Sequence, residues 1–324
     1  MKSIGKLIGI LIITLGICPV LFPNVSSAWL RQYSCADIRE RGYINVLSIN
    51  LLYSEFEDRE IRLQTLADFI AQQTEQGEPV DVILLQEVVG GLLAGTENSS
   101  QDLRDLLYER GLPYNLQTVT TSGIQVIIEV GNAILSRCRI FFTLVITLPS
   151  VWEEPSEDFG IPLTRKVMMS RIKIPGYGSI NVYNTHLCAF CETEDRLSQA
   201  YSLLGFITDV EKAIWWSKDP IIVGGDFNID LNTPDEDYAY NEIIDFGLID
   251  TYAVVNGCDS CCSEEEGSLG CTYGVTGNPY ADEPARIDYI FIKDLDVLGS
   301  EVVFNSDPSW VSDHSGVLSK IALD

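Results

Sequence analysis

The chain has two histidines, His186 and His314, and both stand beside acids or amides at the ends of apolar runs. His186 closes INVYNTH, and His314 follows Asp313 in WVSDHSGVL. Asp226 and Asn228 close IIVGGDFN, Asp288 lies in RIDYIFIK, Glu87 follows VILLQ, and Asn50 ends YINVLSIN. Side chains of these types can do two kinds of chemistry. Their oxygens suit a hard divalent cation, and imidazoles set beside carboxylates carry protons near neutral pH. Taken singly, each histidine could be a hydrogen-bonded structural residue, and Asn50 or Asp313 an ordinary turn residue. Their shared placement at the ends of apolar segments argues for one site, because rigid sheets position side chains while the following loops leave room for a substrate.

The elements that must carry these residues follow from hydrophobic periodicity. Strands are expected over 43–50, 80–88, 114–120, 124–130, 132–136, 139–148, 166–174, 179–187 and 220–224, with closing strands near 287–293, 297–304 and 316–322. A helix over 58–73 places Ile61, Leu66, Phe69 and Ile70 on one face. A second is capped near Ser99 or Ser100 and stops at Gly111, and others cover 193–216 and 235–246. Region 253–284, rich in Gly, Cys and acids, reads as a long disulfide-braced loop. Consecutive strands in the middle with βα units on either side give an α/β class of two packed sheets with helices outside.

Length and charge narrow the setting. Lys2 and Lys6, the apolar run LIGILIITLGI and the small residues of NVSSAW read as a secretory signal cleaved after Ala28. Pro19 and Pro23 break the run short of the roughly 20 residues a membrane span needs. Removing residues 1–28 leaves 324 − 28 = 296 residues, read as one catalytic domain over 29–324. The 47 acidic side chains then face 21 − 2 = 19 basic ones, a net charge of −28. Such a charge disfavours non-specific nucleic-acid binding and attracts divalent cations. Of nine cysteines, loss of Cys18 leaves eight, an even number suited to disulfides in an exported chain. CAFC (188–191) and CDSCC (258–262) also carry a spacing found in zinc sites; oxidation on export favours disulfides.

The ordered pieces SINLL, LLQEV, GNAILSR, NTHL, GGDFN, RIDYIF and SDHSG, spread over 43–318, resemble the endonuclease/exonuclease/phosphatase superfamily, which includes DNase I-like nucleases, neutral sphingomyelinases and inositol-phosphate phosphatases. The resemblance implies a DNase I-like four-layer sandwich of two mixed β-sheets flanked by helices. It implies hydrolysis of a phosphodiester by in-line attack of water with Mg²⁺ as cofactor, Mn²⁺ or Ca²⁺ being the alternatives. Glu87 matches the principal metal ligand, supported by Asn50 and Asp313. Asp226 matches the residue near the attacking water, Asn228 a phosphate contact, His314 the histidine held by Asp288, and His186 a second histidine at the phosphate or leaving group.

Three functions compete on this frame. A secreted or periplasmic nuclease comes first, a sphingomyelinase or phospholipase-C-like enzyme acting on phospholipid headgroups second, and a catalytically silent binding protein last. The partner is the nucleic-acid or phospholipid substrate, and the chain is expected to be a monomer without a stable protein partner. Arg165 reads equally as a phosphate contact and as a solvated loop charge. Trp152 and Trp310 are placed near the cleft rim, and Trp215-Trp216 in the core.

Overall fold

The computed structural model describes residues 35–323 apart from 55–57, 125–126, 150–163, 215–217, 235–236, 259–260, 264–268 and 282. Residues 1–28, expected as a signal segment, and Trp152 and Trp215-Trp216 lie outside the described residues. Strand β1 (Tyr43–Asn50) is buried nearly throughout, as an apolar strand at the centre of a packed sheet must be. Helix α2 (Arg59–Glu75) crosses over to β2 (Val82–Gly90), which pairs parallel with β1. On the other side of β1 lies the antiparallel β12 (Gly316–Ala322), and outside it β11 (Val297–Val303). The hairpin of β3 (Asn115–Ile124) and β4 (Ile128–Ser136) completes this sheet, in the order β11-β12-β1-β2-β4-β3.

A second six-stranded sheet runs β5-β6-β7-β8-β10-β9. It contains β5 (Arg139–Thr147), β6 (Lys166–Ile174), β7 (Gly178–His186), β8 (Ile221–Asp226), β9 (Ile249–Asp250) and β10 (Asp288–Lys293), with α4 (Thr193–Ala213) as the crossover between parallel β7 and β8. The two-residue period of each strand sends alternate side chains to opposite faces. In β1, Ile44 and Val46 enter the core between the sheets with Leu84, Ile134, Met168, Val182, Ile222 and Ile290. Leu47 and Ile49 face the other way, onto Leu66 and Ile70 of α2 and Leu103 and Leu107 of α3 (Ser99–Glu109). On the outer face of the second sheet, Tyr183 and Val223 pack with Leu203 and Ile207 of α4 and Ile243 of α5 (Asp237–Asp245). Layer by layer this is the expected four-layer sandwich.

Several boundaries differ from expectation for identifiable reasons. Ile61 is 66% exposed, because α2 turns Arg62, Leu63, Leu66, Ala67 and Ile70 inward and uses Arg62 to bind carbonyls. The cap of α3 is Asn98, whose side chain accepts from the Ser100 N–H, so Ser99 and Ser100 are already helical. Residues 124–136 do not divide at Gly131 as expected: β3 ends at Ile124, and β4 runs from Ile128 unbroken through Gly131 and Asn132, where a Cβ at Gly131 would lie 2.0 Å from the Val119 carbonyl. Short elements escaped notice: α1 (Asp37–Arg41), α6 (Thr251–Asn256) and β9.

The eight cysteines pair as four disulfides, Cys35–Cys138, Cys188–Cys191, Cys258–Cys261 and Cys262–Cys271, so both C-x-x-C segments are bridged. Among the described residues no helix is long and apolar enough to cross a membrane.

Candidate active site

The site is built at one end of both sheets. Three neighbouring strands of the second sheet present His186, Asp226 and Asp288 in register, since Asp226 pairs with His186 on one side and Asp288 on the other. The two glycines before Asp226 permit this. A Cβ at Gly225, where φ is +145°, would sit 2.0 Å from the Thr185 carbonyl, and one at Gly224 would sit 2.5 Å from Leu84 Cδ1 of the opposite sheet. Only a residue without Cβ lets β8 lie this close to both neighbours.

From the first sheet come Asn50 and Glu87. Asn50 pairs in register with Gln86, and a bulge in β2 sets Gln86 and Glu87 against Asn132 alone. Glu87 sits at φ +53°, a left-handed conformation that turns its carboxylate out of the ladder; the Tyr53 N–H donates to it at 2.9 Å. Beneath it, Gln86 Nε2 donates to Asn184 Oδ1 at 2.7 Å, while Asn184 Nδ2 donates to the Leu85 and Ala133 carbonyls. This buried amide pair ties the sheets together directly under the site.

Asp226 is the hub. Its Oδ2 accepts from Asn50 Nδ2 at 3.0 Å and lies 3.3 Å from His186 Nε2 and 3.7 Å from His314 Nε2; its Oδ1 accepts the Asn228 N–H at 3.0 Å. Asn228, at φ +51°, also donates through Nδ2 to the Leu187 carbonyl at 3.1 Å. His314 Nδ1 and Asp288 Oδ2 are 2.8 Å apart, and Asp288 is fully buried. Asp313 accepts from Ser312 Oγ at 2.9 Å beside them.

Electrostatics separate the two imidazoles. Burial opposes charge on His314, but the carboxylates of Asp288, Asp313 and Asp226 outweigh it and hold its pKa well above 6.5. His186 is pushed well below 6.5 by burial and by the positive charges of Arg165 and His314. At neutral pH one ring is therefore an imidazolium and the other neutral. Burial and then the Asp288 carboxylate raise Asp226 to about 7, although His314 and Asn50 pull the other way. Glu87 is raised by burial and by Asp313, against the Tyr53 N–H, His314 and Asn50.

Two groupings could hold a cation. Ligand atoms of Asp226, Asp288 and His314 lie within 4.8 Å of one another. Asp288 and His314 are, however, already bonded to each other. Glu87 feels the repulsion of Asp313, with the Asn50 amide alongside, which is an all-oxygen set whose repulsion a hard divalent ion would relieve. The residues present fit Mg²⁺.

The structure thus brings together Asn50, Glu87, His186, Asp226, Asn228, Asp288, Asp313 and His314. It also places Arg165, with Glu87, His186, Asn132 and Tyr53, on the wall of a small recess beside the site. Trp310 packs partly buried on Cys262, Cys271 and Val275. Two positioning residues were missed from the sequence. Arg62 donates to the Leu51 carbonyl at 2.7 Å and the Val311 carbonyl at 2.9 Å, joining the loop after Asn50 to the loop before Asp313. Thr272 Oγ1 accepts the N–H groups of Ile287 and Asp288, each at 3.0 Å. A cation interrupting the inner face of α2 was the available signal for the first.

With this geometry in view, comparison with known proteins is informative. Residues 43–314 match the endonuclease/exonuclease/phosphatase family, and the chain belongs to that family, whose members are phosphoester hydrolases and generally depend on divalent metal. The fold is DNase I-like. A Beutenbergia cavernae endonuclease/exonuclease/phosphatase superposes with a TM-score of 0.64 at 22% identity, over 87% of this chain and 72% of that one. TDP2 of D. rerio complexed with single-strand DNA product gives 0.59 at 16% identity, over 86% and 98%. The mannosyl-6-phosphatase Bt3783 of Bacteroides thetaiotaomicron gives 0.60 at 20% identity, over 86% and 99%. At these identities the likeness shows the fold alone. No curated protein matches the sequence.

Proposed function

We propose that this chain is an exported, divalent-metal-dependent phosphodiester hydrolase of nuclease type. The observation that carries the reading is the convergence of Asp226, His186, Asn50 and the His314–Asp288 pair around one point between the two sheets. Glu87, with Asn50 and Asp313, would hold Mg²⁺, which when bound supplies Lewis-acid stabilisation of charge on the phosphoryl and leaving oxygens. Asp226 accepts the proton of the attacking water. His314, kept protonated by Asp288, donates to a phosphoryl oxygen. Neutral His186 and the Asn228 amide orient the phosphate, and Arg165 on the neighbouring wall adds a fixed positive charge. Four disulfides support export. The DNA product bound by TDP2 is consistent with a nucleic-acid ester.

A specific observation favours phospholipid headgroups as the second reading. Past Glu87, β2 leads to Leu92 and Leu93, 76% and 57% exposed, and the Leu93 N–H donates to the carbonyl of Ile127, itself exposed. Phe190, 70% exposed, stands four residues after His186. Both apolar groups follow strands that end at the site. The deciding experiment is a turnover screen of DNA, RNA, sphingomyelin vesicles and bis(4-nitrophenyl) phosphate with Mg²⁺, repeated with chelator and with Glu87→Gln. Turnover of any of these esters that ends with chelation or Glu87→Gln, in a protein still folded by circular dichroism, is expected. Full activity in excess chelator would sink the reading.

A further inference from the structure

The loop that backs the His314–Asp288 pair delivers one more polar group to the site. Cys271 is bridged to Cys262, and Thr272 behind it is held on three sides. Its N–H donates to the Ala285 carbonyl, its carbonyl accepts the Ser315 N–H, and its hydroxyl takes the two N–H groups that lead into β10. Tyr273 is fixed in turn. It exchanges backbone hydrogen bonds with Ala285 at 2.9 and 3.1 Å, and the following Gly274 donates to the Asp313 carbonyl at 3.1 Å. At Gly274, φ is +56° and a Cβ would lie 2.3 Å from the Glu283 carbonyl, so the chain can turn there only without a side chain.

The consequence is a preset aromatic ring. Tyr273 bridges to His314 through its backbone and packs its ring on the imidazole, with ring centres 5.0 Å apart. The side chain is half-buried, and no hydrogen bond ties its hydroxyl to another of the described residues. Burial, and then the carboxylates of Asp313, Glu283, Glu87 and Asp226, hold the phenol above its usual value of 10, although the ring lies on the His314 imidazolium. A phenol in that setting is a neutral donor that keeps its proton. A phosphate entering a space lined by carboxylates needs such donors most.

We propose that Tyr273 contacts the substrate, donating its hydroxyl to a phosphoryl oxygen beside the one held by His314. This rests on the phosphoester reading above and adds a residue that makes room for an anion without adding charge. The test uses the oxidised mature protein and Tyr273→Phe, which keeps the ring on His314 and removes only the hydroxyl. Two quantities are read with Mg²⁺ present: kcat/KM on bis(4-nitrophenyl) phosphate across pH, and the affinity of inorganic phosphate by calorimetry.

Both should fall by about 10- to 100-fold, the scale of one hydrogen bond to a charged oxygen. The melting temperature and the alkaline limb set by His314 should stay where they are. Wild-type values in both assays overturn the proposal. So does a loss accompanied by a displaced alkaline limb, which would show the hydroxyl acting on His314 instead of on substrate. If no ester is turned over by either protein, the functional reading fails and the phosphate titration alone decides Tyr273: equal affinities, or no binding by the unsubstituted protein, sink the contact.

Discussion

Replacing Asp226 by Asn should make the metal-free protein more stable at pH 8 and less stable at pH 4. The carboxyl is fully buried, and burial together with the Asp288 carboxylate lifts it from an ordinary 3.8 to about 7. That shift sets a penalty of about 4 kcal/mol on the ionised form. The folded pKa lies above the unfolded one, so the stabilising contribution of the protonated form is complete below 3.8 and is lost as pH rises through about 7. An amide, neutral at every pH, loses none of it. Against this gain, the new Nδ2 must face one of two present donors, Asn50 Nδ2 or the Asn228 N–H, each now 3.0 Å from an Asp226 oxygen, which costs about 1–2 kcal/mol. The balance is about 2 kcal/mol in favour of Asp226→Asn at pH 8, with the sign reversed at pH 4. Urea unfolding in chelator at the two pH values measures both differences. A variant less stable than the parent at pH 8, or a difference that does not change with pH, would refute the electrostatic account. Turnover should vanish in the same variant, so that stability and activity move in opposite directions.

Asp288→Asn and His314→Ala should each lose about 10²–10⁴-fold in kcat, with the double variant little worse than either, because the two act as one unit. The alkaline limb of the Asp288→Asn profile should move to lower pH, since the nearest carboxylate holding the His314 proton is gone; multiplying losses or an unmoved limb count against the pair. Serine at both Cys35 and Cys138, which are 103 residues apart in sequence, should lower stability by up to about 4.7 kcal/mol on loop-entropy grounds, as read by denaturant unfolding. Cleavage of DNA should depend only shallowly on NaCl, because 21 basic side chains against 47 acids can neutralise few phosphates; a log–log slope steeper than about −4 would contradict this.

The positions of the site residues were more legible than their geometry. Each ends or adjoins an apolar run, and the period-two pattern that marks a strand also marks where it stops, so Asn50, His186 and Asp226 could be placed at strand ends without coordinates. The bulge that turns Glu87 outward could not, since it depends on the pairing of Asn132, in a segment expected to break at Gly131, with a strand far from it in sequence. Nor could the inward use of Arg62. Hydrophobic periodicity treats every cation as solvent-facing, whereas here a guanidinium satisfies the carbonyls of Leu51 and Val311 from inside. The Cys35–Cys138 bridge and the roles of Thr272 and Tyr273 rest on contacts between segments distant in sequence. Local pattern carries no information about those.

The position of β12 between β1 and β11 bears on how the site comes into being during synthesis. Asn50, Glu87, His186, Asp226 and Asp288 all emerge before His314, and the loop bearing Asp313 and His314 leads straight into β12, which pairs with the waiting edge of β1. A growing chain can therefore assemble most of both sheets, and join Asn50 to Asp226, before His314 is in place. Competence arrives in a single late event instead of accumulating along the way.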